Sequence, residues 1–252
     1  MSHDRYDSTR QAWENIWQEA DVLVELEAVQ SARSLETIAL YEAHLPKDDL
    51  ILEAGSGLSA VVMTLRQKGY SIMGIDYAIN ALYASKQFQP DLGLGGADVH
   101  HLPFANDTFG AYLSFGVLEH FEQGMLPALK EAHRILKPNG VIVLTIPYPN
   151  AIHQAVRLKR TLLGQPLLTD ETFFESTYTR DDLIANVRMM GFEEVVVAPT
   201  SHAFTLWGLG FPFRAGGYYQ TSPLADRLGD WAKNALPWWL NFMTLIVARK
   251  VV

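Results

Sequence analysis

Apolar positions recur with one spacing in the first 45 residues and with another beyond them. Ala12, Ile16 and Ala20, then Val22, Leu26 and Val29, then Leu35, Ile38 and Ala39 return every three to four positions, which predicts helices. Pro46-Lys47-Asp48-Asp49 ends that region as a turn. Short apolar runs then alternate with helical ones. Residues 50–52 predict a strand that runs into Gly55-Ser56-Gly57, and 60–68 predict a helix capped by Gly69. A strand over 71–75 and a helix over 79–87 follow, and a third strand ends near Asp98. A fourth strand covers 111–115, and a helix over 126–136 stops at Lys137-Pro138-Asn139-Gly140. Residues 141–146 form a β-rich fifth strand.

After Pro147 the alternation loosens. Residues 148–176 hold a basic helix and a loop with Phe173 and Phe174. Thr179-Arg180-Asp181-Asp182 opens a helix that ends at Gly191, 194–198 read as a sixth strand, and 242–248 as a seventh. Between these last two strands lies a stretch rich in Gly, Pro and aromatic residues. Strands alternating with helices at this spacing require crossover connections. The expected fold is therefore α/β: a doubly wound, mainly parallel seven-stranded sheet with helices on both faces and the last strand antiparallel.

Composition narrows the function. Of the 252 residues, 48% are hydrophobic and 19% charged, and mean hydropathy is near zero, which suits one globular domain. No apolar run reaches the roughly 18 residues of a membrane span, and residues 1–10 are too polar for a secretory signal. Cysteine is absent, which excludes disulfides, thiolate metal sites and a cysteine nucleophile and fits a cytoplasmic location. The net charge of −8 argues against a nucleic-acid partner. The short basic cluster Arg157, Lys159 and Arg160 reads as the solvated face of a helix.

The candidate chemistry lies at the ends of the early strands. Glu53-Ala54-Gly55-Ser56-Gly57-Leu58-Ser59 places a glycine turn between strand and helix, where backbone comes close to a ligand and helix N–H groups point at it. With Ala60 the same run also reads as the Gly-x-Gly-x-x-Ala of a dinucleotide site. Glu53 stands where a nicotinamide fingerprint is apolar, and a carboxylate there suits a cationic ligand. Asp76 can accept from both hydroxyls of a ribose, and Asp98 from an adenine amine with Val99 against the ring.

These stretches resemble the class I S-adenosylmethionine-dependent methyltransferases, especially the group that includes the ubiquinone- and menaquinone-pathway enzymes. The resemblance rests on Leu52-Glu53-Ala54-Gly55-Ser56-Gly57, Gly74-Ile75-Asp76-Tyr77 and Ala97-Asp98-Val99 leading to Leu102-Pro103-Phe104. Val117-Leu118-Glu119-His120-Phe121 and Leu136-Lys137-Pro138-Asn139-Gly140-Val141 complete it. The resemblance implies S-adenosylmethionine as cofactor. Glu53, Gly55, Ser56 and Gly57 would surround its methionine moiety, Asp76 and Tyr77 its ribose, and Asp98 and Val99 its adenine. Phe115 and Gly116 would lie beside the sulfur. Ser59 replaces a frequent third glycine, and Phe109-Gly110 stands where Phe-Asp is usual. A nicotinamide oxidoreductase and a non-catalytic nucleoside-binding protein are the alternatives.

Residues 1–252 thus read as one methyltransferase domain. It comprises N-terminal helices over 1–46, a cofactor-binding half over 49–147, and substrate-lid segments over 148–176 and 202–241. Methyl transfer to a small-molecule acceptor needs alignment and, for some acceptors, a base. His120 is the first candidate for that base and His153 and His202 are others, while Tyr148 could donate a hydrogen bond. Relatives with a Glu-x-x-Glu-His metal cluster carry a carboxylate where this chain has Gly116, so no metal is expected. The lid segment 202–241 holds Phe204, Trp207, Phe211, Phe213, Tyr218, Tyr219, Trp231, Trp238 and Trp239. Such a wall suits a planar or lipid-like acceptor, although most of these rings are expected to pack the lid onto the sheet. Trp238-Trp239 has no adjoining basic face in the sequence, so no membrane contact is expected.

Overall fold

Seven strands form one sheet in the computed structural model, which describes residues 3–164, 175–216 and 220–251. They are β1 (Ile51–Ala54), β2 (Ile72–Asp76), β3 (Leu94–Gly96), β4 (Phe109–Phe115), β5 (Leu136–Pro147), β6 (Phe192–Thr200) and β7 (Met243–Lys250). Their order is β3-β2-β1-β4-β5-β7-β6. β1 pairs in parallel with β2 and β4, while β7 runs antiparallel to both β5 and β6. The order turns back between β1 and β4, and a crevice opens at the carboxyl ends of the strands there.

Every residue of β1 is buried because helices cover both faces of the sheet. Neighbouring strand residues point to opposite faces and so join different cores. Leu52, Tyr112, Ile142 and Ile246 pack on one side with α6 (Leu126–Ile135) and α8 (Arg180–Met189). Ile51, Leu113, Val143 and Val247 pack on the other with α3 (Ala32–Glu42), α4 (Ala60–Gln67) and α5 (Ile79–Phe88). Ahead of the sheet come α1 (His3–Glu19) and α2 (Val22–Val29). No described helix is long and apolar enough to cross a membrane.

Two elements differ from expectation. β5 starts at Leu136, because the chain pairs with Phe109 before a bulge and then continues as Val141 beside Ala111. The missing carboxylate at Gly110 also finds an explanation there. A Cβ at Gly110 would lie 2.6 Å from the Cβ of Asp49, so the space is filled from the preceding turn, and Asp49 pairs with Lys137.

The second difference is that residues 202–241 are not one long loop. They contain α9 (His202–Trp207) and α10 (Pro223–Ala235). The Ser222 hydroxyl caps α10 by accepting from Ala225 N–H, and Pro223 fills its first turn. The buried face of α10 is Ala225, Gly229 and Ala232, small residues that a search for apolar periodicity passes over. They let α10 come close to α9: a Cβ on Gly229 would lie 2.6 Å from the Ala203 nitrogen.

Candidate active site

The turn after β1 is held from β2. Gly55 and Ser56 N–H both donate to the Ile75 carbonyl at 2.9 Å. Asp76 accepts Gly57 N–H at 2.8 Å on one oxygen and Ala78 N–H at 2.8 Å on the other. Gly55 has φ +81°, and Ser59, in place of a glycine, adopts the left-handed region at φ 58°. Its hydroxyl lies 3.3 Å from that of Ser56, a local contact that helps hold the conformation.

Glu53 is buried beneath this turn. Burial pushes its carboxyl up to about 8, a backbone bond from Val62 opposes the shift, and the nearby charge of Asp76 adds to it. Its Oε2 atom has no hydrogen-bond partner among the described residues. A buried acceptor without a donor is the feature that an ammonium or a water beside it would satisfy.

The sign of the Glu53 shift gives a testable pH dependence. The folded protein holds this proton more tightly than the unfolded chain, whose carboxyl titrates near 4.5. The contribution is full below about pH 4.5 and is lost as pH rises through about 8. Urea midpoints of the ligand-free protein should therefore fall between pH 5 and 8, and Glu53→Gln should flatten that fall. Parallel curves for the two proteins would mean that Glu53 is ionised throughout.

One cavity of about 500 Å³ collects all ten proposed cofactor residues. Glu53, Gly55, Ser56 and Gly57 line it at the end of β1, Asp76 and Tyr77 after β2, and Asp98 and Val99 beyond β3. Phe115 and Gly116 close the β4 end. One Asp98 oxygen takes both the His100 N–H and its Nδ1 at 2.9 Å, which fixes the carboxylate. The His100 ring meets the edge of Phe121, itself a wall residue, at 4.2 Å.

His120 also faces this cavity. It sits on a short 3-10 turn, Leu118–His120, with its Nε2 3.9 Å from Glu119 Oε1 and its ring 5.2 Å from Trp13. Burial holds the Glu119 carboxyl well above its usual range, and its Oε2 has no hydrogen-bond partner among the described residues. Among the described residues no group of three His, Asp or Glu side chains is arranged to hold a metal ion.

The other proposed catalytic groups are not brought to this cavity. Tyr148 packs against Trp238 with ring centres 5.8 Å apart. His153 belongs to α7 (Ala151–Leu162), which buries none of its residues. His202 is buried, but its Nε2 lies 2.8 Å from the Pro237 carbonyl, so it ties α9 to the chain ahead of β7. All three follow a strand closely, and the side chain's direction after a strand depends on a turn that spacing does not reveal.

The aromatic segment 202–241 contributes less to the cavity than its composition suggests. Phe204 lines it, and Trp207 stacks behind Phe204 at 4.8 Å. Phe211 is 93% exposed, and Trp231 and Trp239 are exposed as well. Phe173, Phe174, Tyr218 and Tyr219 lie outside the described residues.

The N-terminal helices provide the wall that sequence reading assigned to no particular residue. Trp13 and Trp17 stack at 5.6 Å, and a Cβ at Gly57 would lie 2.5 Å from the Trp17 ring. Glu25, Ile38 and Tyr41 extend the wall, with Tyr41 5.3 Å from Phe115, and burial raises the Glu25 carboxyl. The only cue in the sequence was the four-residue spacing of Trp13 and Trp17 on one helix face.

Residues 52–144 match the family model for a methyltransferase domain. Over these residues the chain resembles the S-adenosylmethionine-dependent methyltransferases. A demethylmenaquinone methyltransferase from Streptomyces avermitilis is 32% identical over 95 residues, 37% of this chain and 40% of that protein. The chain thus spans about two fifths of the length of the first curated relatives it matches. Among solved structures, a putative methyltransferase bound to the Haloferax volcanii Trm112 activator superposes with a TM-score of 0.65 at 15% identity. That match covers 95% of this chain and 98% of the other. The 1,6-didemethyltoxoflavin-N1-methyltransferase of Burkholderia thailandensis gives 0.64 at 13% identity, covering 100% and 91%. At such identities these structures speak for the methyltransferase fold and not for a shared acceptor.

Proposed function

We propose that the chain is an S-adenosylmethionine-dependent methyltransferase for a small, neutral or cationic acceptor with an apolar body. The observation that carries this reading is the makeup of this cavity. Ten cofactor-type residues form one side, and Trp13, Trp17, Tyr41, Phe204 and Phe242 are among those that form the rest. Among the described residues no Lys or Arg lines it, while Glu25, Glu53, Asp76 and Asp98 do. A phosphate or carboxylate on the acceptor would meet carboxylates with no cation to offset them.

In this reading Glu53 orients the methionine ammonium, Gly55, Ser56 and Gly57 lie against its carboxylate end, and Asp76 accepts from the ribose. Tyr77 lies beside Asp76 at the ribose, and Val99 and the fixed carboxylate of Asp98 hold the adenine. The bound cofactor supplies an activated methyl group for in-line displacement. The acceptor heteroatom or carbon gains that methyl group and gives up a proton, and the sulfonium becomes a neutral thioether. Phe115 and Gly116 set the approach, and His120 takes the proton.

The test is calorimetry followed by turnover. S-adenosylhomocysteine should bind in the micromolar range, about −8 kcal/mol. Binding at pH 7 should release protons, because a nearby ammonium draws Glu53 to its ionised form. Label from methyl-labelled S-adenosylmethionine should then move to one of a panel of aromatic, quinone-like and amine acceptors, and should do so in EDTA. Quinones belong in the panel because a relative is named for demethylmenaquinone. Tight NADH binding with no response to S-adenosylhomocysteine would overturn the reading.

A further inference from the structure

The helix α2 carries two glutamates, and they face opposite ways. Glu27 is exposed, whereas Glu25 falls on the stripe of Val22, Leu26 and Val29, the residues that pack α2 against the core. That stripe ordinarily takes an apolar residue. Glu25, Ala28 and Val29, at i, i+3 and i+4, all line the cavity, so one side of α2 forms its wall and carries the Glu25 side chain. The Glu25 carboxylate has no hydrogen bond and no ion pair among the described residues. Burial alone raises its carboxyl, with no neighbouring cation to oppose the shift. An ionised carboxylate enclosed in this way is costly unless a cation meets it, and the wall itself offers neither Lys nor Arg among the described residues.

The cofactor leaves this carboxylate unused. In the proposed reading, on which the following rests, the one ammonium of S-adenosylmethionine sits at Glu53 beneath the glycine turn. The carboxyl of Glu53 responds to the charge of Asp76, whereas that of Glu25 responds to neither, so Glu25 stands apart from the cofactor's carboxylates. Around it the N-terminal helices give the cavity Trp13 and Trp17 from α1 and Ile38 and Tyr41 from α3. Aromatic faces together with one carboxylate are the features that recognise an organic ammonium.

We infer that the methyl acceptor carries an ammonium group and that Glu25 binds it. An ammonium nitrogen has no lone pair with which to take a methyl group. The charged end at Glu25 is therefore a handle, and the methylated atom is a second nucleophile at the other end of the same apolar body. The proton given up in the reaction comes from that second group, and the ammonium leaves as it entered. This narrows the acceptor from neutral or cationic to cationic, and it makes Glu25 a specificity-determining residue.

Two matched sets of probes test this by binding alone, with the full chain saturated in S-adenosylhomocysteine. One set is tyramine, tyrosol and phloretate, and the other is tryptamine, tryptophol and indolepropionate. Within each set the aromatic body is constant and the far end changes from ammonium to hydroxyl to carboxylate. In calorimetry at neutral pH, the amine of at least one set should bind about tenfold or more tighter than its alcohol, and the carboxylate weakest. Glu25→Gln keeps the shape of the wall and should bring that amine down to its alcohol. Affinities for S-adenosylhomocysteine and S-adenosylmethionine should stay within about twofold in this variant. Its thermal midpoint should be no lower than the parent's, since a buried charge is removed, which separates lost recognition from misfolding. Glu27→Gln, on the exposed side of the same helix, should change none of these values. Four results would overturn the inference: neither amine binds, amine and alcohol bind alike, the preference survives Glu25→Gln, or that variant loses the cofactor. The last would put Glu25 at the methionine or sulfonium end. In all four the parent still binds S-adenosylhomocysteine and the methyltransferase reading stands. A parent that binds none would remove that reading, and this inference with it.

Discussion

Asp76→Ala should weaken S-adenosylhomocysteine binding by a hundredfold or more and also weaken the fold. A ribose-accepting carboxylate is worth about 1.5–3 kcal/mol by its charged hydrogen bonds. Here the same two oxygens also hold the N–H groups of Gly57 and Ala78, so the variant loses the shape of the turn as well as the contact. Each buried N–H left without an acceptor costs about 1–3 kcal/mol. Together these put the loss of affinity at a hundredfold or more, about 3 kcal/mol. Asp76→Asn separates the two roles, because its amide oxygen can keep one of the backbone bonds. It should recover part of the urea midpoint and little of the affinity. If the alanine variant bound S-adenosylhomocysteine within threefold of the parent, Asp76 would not be at the ribose.

The second large effect is expected far from the glycine turn in sequence. Trp17→Ala should weaken S-adenosylhomocysteine by about tenfold to a hundredfold, or about 1.4–2.8 kcal/mol. Trp17 lies against Gly57, stacks on Trp13, and through it reaches His120, so its loss opens the cavity beside the glycine turn. Phe211→Ala is the contrasting variant: at 93% exposure its ring touches nothing that binding needs, and affinity should stay within about twofold. Phe204→Ala should raise the acceptor KM and spare the cofactor, since Phe204 lines the cavity from α9. Calorimetry on the three, with circular dichroism as a check on folding, decides between an N-terminal wall and a C-terminal lid. A Trp17 variant that binds normally while the Phe211 variant fails would restore the lid to residues 202–241.

The sheet was legible because its signal is local and repeated. Runs such as Leu50-Ile51-Leu52 and Val141–Leu144 are apolar throughout, as strands covered on both faces tend to be, and helices between strands carry stop signals such as Gly69 and Gly191. That the proposed cofactor residues meet in one cavity was legible for a related reason. Glu53, Asp76 and Asp98 lie at or just past the ends of three adjacent strands, so strand order alone brings them to one edge. The wall from α1 to α3 was not, because nothing in a periodic pattern says which loop a helix will cross. Nor was α10, whose buried face of Ala225, Gly229 and Ala232 substitutes close approach for bulk. The aromatic stretch misled for the opposite reason. Density of rings reports composition, and exposure at Phe211, Trp231 and Trp239 is decided by the path of the chain.

The contact between Asp49 and Gly110 ties two positions that lie in different elements. A side chain at 110 and a residue of aspartate's size at 49 would occupy the same volume, with carbons 2.6 Å apart. Each position therefore sets what its partner tolerates. Gly110→Asp alone should be harmful, Asp49→Gly alone should leave a gap and Lys137 without its carboxylate, and the two exchanges together should cancel much of both defects. A carboxylate at this corner of the sheet can be carried from either direction, so this pair of sites would drift as a unit: a change at one becomes neutral only after the other has moved.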